Sequence, residues 1–268
     1  MKNILIFRKK NLCFILVILF VVFFGFSLPR PLFEDPASSV MEDCHGVLLG
    51  ARIASDGQWR FPPNDKVPEK FQKALVLFED RFFYVHNGLN PVSMAKAAYK
   101  DVKAGKIVSG GSTITMQVIR LSRKGKARTV FEKIIEAFLA VRLELTYSKQ
   151  EILAHYSANA PFGSNVVGID AAAWRYFGKN ADQLSWAEAA TLAVLPNSPA
   201  LIFPGKNQEK LKHKRNSLLV KLYLNKYITQ EQLQLARNEP LPGKPYPLPQ
   251  TAMHLLDRAV KEGHRGKR

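Results

Sequence analysis

Residues 68–88 read PEKFQKALVLFEDRFFYVHNG. Pro68 suits the opening turn of a helix. Phe71, Leu75, Phe78 and Phe82 follow at steps of four, three and four, which gathers them on one apolar face. Glu79 falls on the same stripe, four residues after Leu75 and four before Phe83. A carboxylate on such a face is costly to ionise, so its pKa is expected to rise, a property that suits a general acid or base. The spacing also allows a second reading, in which Glu79 merely pairs with Arg81 or His86 at the helix end.

Outward from this stretch, the chain reads as helical from about Pro68 to Asn238. Phe131 to Leu145 carries a second apolar periodicity through Ile134, Ile135, Phe138 and Leu139. Ser148 with Glu151, Ser185 with Glu188 and Thr229 with Gln232 have the spacing of helix-capping pairs. Before the helices, Val47 to Arg60 suggests a short strand or hairpin around Trp59. After them, PLPGKPYPLP (240–249) holds five prolines in ten residues and reads as a linker or extended strap. The last residues, DRAVKEGHRGKR, read as a solvated basic tail. The expected fold is mainly α with a small β element.

The 268 residues include 39 Lys plus Arg against 22 Asp plus Glu, a net charge of +17. With 47% hydrophobic residues the chain is not disordered, and two cysteines are too few for a disulfide scaffold or a Cys-rich zinc domain. The charge calls for an anionic partner: nucleic acid, lipid headgroups or a phosphate-bearing substrate. The apolar run LCFILVILFVVFFGFSL, Leu12 to Leu28, narrows that choice, because 17 residues span about 26 Å as a helix. Lys2, Arg8, Lys9 and Lys10 precede it, while Glu34, Asp35, Glu42 and Asp43 follow it. This places the N-terminus in the cytoplasm and the rest outside. A cleaved signal peptide is the alternative, but the run is long for one and no small-x-small site follows. The expected organisation is a cytoplasmic tail (1–10), a transmembrane signal anchor (11–28), a stalk (29–45), a main domain (46–239) and a linker with its tail (240–268). Nucleic acid is not the expected partner outside the cytoplasm. Cys13 and Cys44 fall on different sides of that boundary and cannot pair.

SGGSTITMQ, Ser109 to Gln117, puts two glycines before hydroxyl residues, a loop whose backbone can approach an oxyanion. No GKS or GKT follows, so it is not a nucleotide P-loop, and alone it reads equally as a turn. Arg120, Arg123, Lys124, Lys126, Arg128 and Lys133 come next, with Glu136 three residues after Lys133. Such runs are usually solvated faces. Beside a Gly-rich turn and an acid on an apolar helix, they could instead form a pyrophosphate pocket. Two carboxylates are what glycosidic chemistry commonly uses, and a cationic pocket is what a phosphate leaving group needs.

In these four places the chain resembles glycosyltransferase family 51, the peptidoglycan transglycosylase domain of class A penicillin-binding proteins. EDRFFYVHNG is similar to its first motif and SGGSTITMQ to its second, with Met116 before Gln117 like the 1C type. ARTVFEKIIEAFLAVRLE is similar to the third motif. SKQEILAHY followed by APFGSNVVGIDAAAWRYFGK resembles the fourth and its flank. The resemblance implies a lysozyme-like helical domain behind a single transmembrane helix, in the bacterial inner membrane with its catalytic domain periplasmic or extracytoplasmic. It implies polymerisation of lipid II into β-1,4-linked glycan, with inversion and release of undecaprenyl pyrophosphate. By motif position, Glu79 would be the base on the acceptor 4-hydroxyl, and Glu136 the second acid. Arg120, Arg128 and Lys133 match positions that hold the donor pyrophosphate. Gly111, Ser112, Thr113 and Gln117 match the loop lining the cleft. Asp80, Phe83 and His86 match first-motif positions with a mainly supporting role. The family admits Mg²⁺, but the sequence shows no metal cage. Lipid II, the growing glycan, membrane lipids and a separate transpeptidase or other wall-synthesis proteins are the implied partners.

The chain departs from the family at Tyr156-Ser157-Ala158, where many members have Tyr-Leu-Asn, and at Ser164, usually glycine. Ser93 and Lys96 fit S-x-x-K by coincidence, on an expected helix with no later K-T-G, and the sequence stops just past the proline-rich linker. Penicillin binding is therefore not expected. A lysozyme-like glycan hydrolase and a non-catalytic scaffold of a wall-synthesis complex are the alternatives. The first needs neither a basic pocket nor lipid access, and the second needs neither glutamate.

Overall fold

The computed structural model describes residues 14–15, 18–19, 22–105, 110–124, 126, 129–197 and 204–266. Of the expected membrane anchor at 11–28, residues 11–13, 16–17 and 20–21 lie outside these. Its described residues at 14–15, 18–19 and 22–26 are helical and mostly expose their apolar side chains, whereas Phe24 is half-buried and Leu28, past the helix, is buried in the core. Among the described residues no helix is long and apolar enough to cross a membrane. The end of the segment is tied down: Phe24 packs edge-on against Phe138 at 5.1 Å, and Arg142 donates to the carbonyls of Phe24 and Gly25, both at 3.0 Å.

Among the described residues the fold is mainly helical with two small sheets. Strands β1 (Ser39–Glu42) and β2 (Leu48–Arg52) form an antiparallel hairpin, and β1 begins within the stretch read as stalk. Strand β3 (Trp59–Arg60) pairs in parallel with β4 (Val166–Val167), a strand that the helical reading of 68–238 did not contain. Val166 and Val167 are two residues long, too few for either periodicity to register.

The helices are α1 (Glu69–Glu79), α2 (Pro91–Ala104), α3 (Ile114–Ser122), α4 (Val130–Glu144), α5 (Lys149–Asn159), α6 (Ile169–Phe177), α7 (Trp186–Val194), α8 (Gln208–Leu224), α9 (Gln230–Asn238) and α10 (Met253–Lys261). All three spacings of capping pairs close as reciprocal boxes, at the starts of α5, α7 and α9. Helix α7 is the centre: Ala187 and Ala189 to Val194 are all buried, with α1 and α8 packed on it. Small alanines on all sides let those two helices approach closely. On α1, Phe71, Ala74 and Leu75 are fully buried, as the stripe requires, whereas Phe82 is half exposed because the helix stops at Glu79.

Helix α4 divides its apolar residues. Leu139, Ala140 and Leu143 enter the core, while Val130, Phe131 and Ile134 near its start are exposed. The chain beyond the prolines returns to the hairpin, with Thr251 donating to the Leu49 carbonyl at 2.9 Å and Arg52 gripping Asp257 through two bonds of 2.8 and 2.7 Å. The end read as a solvated tail is thus partly the helix α10, which buries Leu256 against β1 and β2. Its four-residue apolar spacing is short and lies among charges, so the tail composition masked it.

Candidate active site

Helix α1 terminates at Glu79, with the Asp80 amide returning to the Val76 carbonyl at 3.0 Å. The carboxylate therefore sits at the negative end of a helix, within apolar surroundings, and both circumstances disfavour its charge. Burial pushes Glu79 above the usual carboxylate range. A hydrogen bond from Gln117, the charge of Arg120, the side chain of Asn197 and the charge of Lys214 oppose it. Gln117 Nε2 donates to Glu79 Oε2 at 2.8 Å. Glu79 Oε1 is sealed from solvent without a hydrogen-bond partner. Neither Arg81 nor His86 pairs with Glu79, so the helix-end pairing does not form.

The neighbouring acid faces another way. Asp80 Oδ2 accepts from the Ile114 amide at 3.1 Å and meets His86 Nε2 at 2.9 Å. Ile114 opens α3, so a carboxylate at that N-terminus satisfies an orphan amide and complements the helix dipole. Thr113, the N-cap, accepts from the Met116 amide at 3.1 Å and donates to the Gly88 carbonyl at 2.6 Å. Phe83 is fully buried under Lys149, whose Nζ is 4.4 Å from the ring centre. Asp80, Phe83, His86 and Thr113 therefore fix the start of α3. One turn on, α3 presents Gln117, and one turn further Arg120.

A second group forms on α4. Glu136 is 9% exposed and lies 3.7 Å from Lys133 Nζ. Lys133 also donates to Ser112 Oγ in the loop before α3. Gly111 precedes that serine where no larger residue fits, since a Cβ there would lie 2.8 Å from Met94 Cα. Helix α3 packs along α4, which brings the Gln117 and Lys133 groups onto adjacent helices. Arg128 lies outside the described residues, as do 106–109 at the start of the Gly-rich stretch.

Asn197 and Lys214 were not among the residues singled out in the sequence. Lys214, on α8, donates to Asn197 Oδ1 at 3.1 Å. Burial draws its pKa down while the Glu79 charge holds it up. The only sequence signal was weak: Asn197 follows Pro196 just past the end of α7, and Lys214 is one cation in a run of several.

The family admits a metal, but the donor set beside Glu136 is an ammonium and a hydroxyl rather than further carboxylates. Among the described residues no three His, Cys, Asp or Glu side chains gather to hold an ion. These residues do not fit a resident metal.

The helical domain thus carries one acid held by an amide donor, Glu79 with Gln117, and a second beside a lysine, Glu136 with Lys133. The family described as Transglycosylase matches residues 47–223, and the chain belongs to that family. It is 40% identical over 225 residues to penicillin-binding protein 1C of Escherichia coli strain K12, covering 84% of this chain and 29% of that protein. It is 39% identical over 236 residues to penicillin-binding protein 1A of Aquifex aeolicus strain VF5, covering 86% and 32%. Penicillin-binding protein 2D of Bacillus subtilis strain 168 is 36% identical over 215 residues, covering 80% and 31%. The chain spans less than a third of the length of each of these relatives.

Proposed function

We propose that this chain is a membrane-anchored peptidoglycan glycosyltransferase that polymerises lipid II, with Glu79 as base. The observation that carries the reading is the Glu79 carboxylate itself, raised in pKa by burial yet held by Gln117 and approached by Arg120. Such a group is basic enough to accept a proton and is oriented to do so.

In the reaction, Glu79 removes the proton from the acceptor sugar 4-hydroxyl. That oxygen forms a bond to the anomeric carbon of the donor as the carbon–oxygen bond to the diphosphate breaks, inverting the centre. The leaving group carries the negative charge, so cations matter more than acids there. Lys133, placed by Ser112 and Glu136, takes that role together with Arg120 and Arg128. Glu136 assists departure by keeping the Lys133 ammonium aimed. Gln117, Ser112, Gly111 and Thr113 shape the groove, and Asp80, Phe83 and His86 support it.

The anchor at 11–28, with the N-terminus in the cytoplasm, puts this site beside a lipid-borne substrate. The exposed Val130, Phe131 and Ile134 next to Lys133 support a lipid-facing position for the start of α4. Membrane lipids, the glycan product and a separate transpeptidase are the partners this reading carries.

The test is labelled lipid II supplied to the full chain in detergent, beside a Glu79→Gln variant. Polymer from the first and none from the second is expected. Fragments released from finished glycan would replace the proposal with a hydrolase, and no product from the unaltered chain would favour a scaffold.

A further inference from the structure

Glu144 is the last residue of α4 and Lys149 the first of α5, and their side chains meet at 2.7 Å. Each charge stands at the helix end that disfavours it, a carboxylate at a C-terminus and an ammonium at an N-terminus. The Glu144 side chain is also buried, at 5% exposure. Such a pair adds little to stability, because desolvation offsets much of its attraction. Its other contacts show what it does. Lys149 Nζ also donates to the His86 carbonyl at 2.7 Å and lies over the Phe83 ring. Glu144 Oε1, which receives the ammonium, receives the Thr115 hydroxyl as well, at 2.5 Å. Thr115 is fully buried on α3, two residues before Gln117. One ion pair thus joins four segments: the loop 80–88 that follows Glu79, the helix of Gln117 and Arg120, the helix of Lys133 and Glu136, and α5. The bonds from Asp80 to the Ile114 amide and from Thr113 to the Gly88 carbonyl tie that loop to α3. The ammonium ties it to α4.

We infer that Lys149 is a positioning residue: paired with Glu144, it sets where the loop after Glu79 stands relative to the helix of Glu136. Neither side chain enters the reaction. The loop continues directly from Glu79, so its placement decides how the base lies against the second acid and Lys133. Transfer between two bound sugars needs the reacting atoms aligned, and a misplacement of about 1 Å costs roughly 10²-fold in rate. The ion pair supplies direction that apolar packing at the same place would lack, since an ammonium fixes the carbonyl, the carboxylate and the ring at once. The effect on turnover rests on the glycosyltransferase reading; the placing of the loop does not.

Two readouts on the full chain in detergent separate those levels. Lys149→Met keeps much of the stem that covers Phe83 and removes the charge, but it leaves Glu144 buried without its ion partner. The double variant Glu144→Gln with Lys149→Met is therefore its companion and is expected to fold, because neutral replacement of both members of a buried pair is usually tolerated. The first readout is the distance distribution between nitroxide labels at Val85 in the loop and Ile134 on α4, both exposed, with Cys13 and Cys44 changed to serine. It requires no turnover, and in both variants the distribution is expected to shift or widen. An unmoved distribution in the double variant overturns the inference. The second readout is steady-state kinetics with lipid II, in which kcat is expected to fall roughly 10–100-fold while KM stays within about twofold. A loss of rate that merely follows the unfolded fraction would also overturn the inference and leave the pair a stabilising role. A chain that makes no glycan before any substitution, yet shows the altered distribution, would overturn the functional reading and leave the placing of the loop standing.

Discussion

Gln117 Nε2 lies 2.8 Å from Glu79 Oε2, joining residues 38 positions apart in the chain. The bond exists because Asp80, the residue after Glu79, holds the first amide of α3, and Gln117 stands one helical turn beyond it. The end of one helix is thus pinned to the start of another, and the carboxylate and its donor are delivered together. A change at Glu79 should consequently be felt in both activity and stability.

Glu79→Gln is expected to lower polymerisation by roughly 10²–10⁴-fold, the usual worth of a positioned base. It should also stabilise the fold. The folded-state pKa of Glu79 is raised, so its contribution to stability is full below the unfolded value and is lost as pH rises through the folded one. Glutamine removes that loss. At pH 7.5 we expect a gain in Tm. The gain should vanish toward pH 4, and calorimetry across pH checks both parts.

Lys214→Met keeps the hydrocarbon stem of the side chain and removes its charge. Lys214 favours the ionised form of Glu79, so its loss should raise the Glu79 pKa and shift the acid limb of the pH–rate profile upward. Activity at pH 6 should fall further than activity at pH 8, and Lys214→Arg should restore most of the difference. An equal fall at both pH values would mean that Lys214 acts on something other than the base.

The legibility of these two residues differs for a physical reason. Glu79 could be found because a carboxylate interrupts a stripe whose other members, Phe71 and Leu75, are dictated by helical period. Helix existence was legible likewise at α5, α7 and α9, where a hydroxyl and an acid or amide three residues apart close a local box. Lys214 and Asn197 act across the fold, from the helix and the turn that flank α7, and no local spacing encodes that meeting. The parallel pair of β3 and β4 escaped for the same reason, since its partners are separated by more than 100 residues and each strand is two residues long.

Asp80→Asn preserves shape but replaces a charged acceptor with a neutral one at both Ile114 and His86. Both side chains of the pair are largely buried, at 4% and 9% exposure. Hydrogen bonds to charged groups contribute about 1.5–3 kcal/mol, so chemical denaturation should report a loss of that size. Activity should fall by more than stability explains, because Gln117 and Arg120 ride on the helix that Asp80 positions. A loss of stability with unaltered activity would show that α3 holds its place without this contact.

Lys133→Ala removes the ammonium that links Ser112 to Glu136. If it neutralises the leaving diphosphate, kcat should fall by roughly 10²–10³-fold, as for the loss of one preorganised donor to developing charge. Ser112→Ala should cost far less, since the lysine charge survives. Steady-state kinetics with lipid II distinguish the two, and equal losses would shift the weight from the charge to the geometry of the loop.

Gly88→Ala tests how closely the first-motif loop must lie against the helix of the second acid. Gly88 has φ +87°, and a Cβ there would fall 2.8 Å from both the carbonyl carbon and the oxygen of Ala140 in α4. Backbone cannot yield as a flexible side chain can, so the loop or the helix must move. The Gly88 carbonyl also receives Thr113 Oγ1, so any shift propagates to the N-cap of α3. Gly105 supplies the control: its φ is +63°, and nothing lies within 4 Å of a Cβ built there. Gly105→Ala should carry only the left-handed backbone cost of about 1–2 kcal/mol. Gly88→Ala should add an overpacking cost of about 1–3 kcal/mol and reduce polymerisation with it. Equal melting temperatures for the two variants would mean that the loop can stand away from α4 and that this close approach is not required.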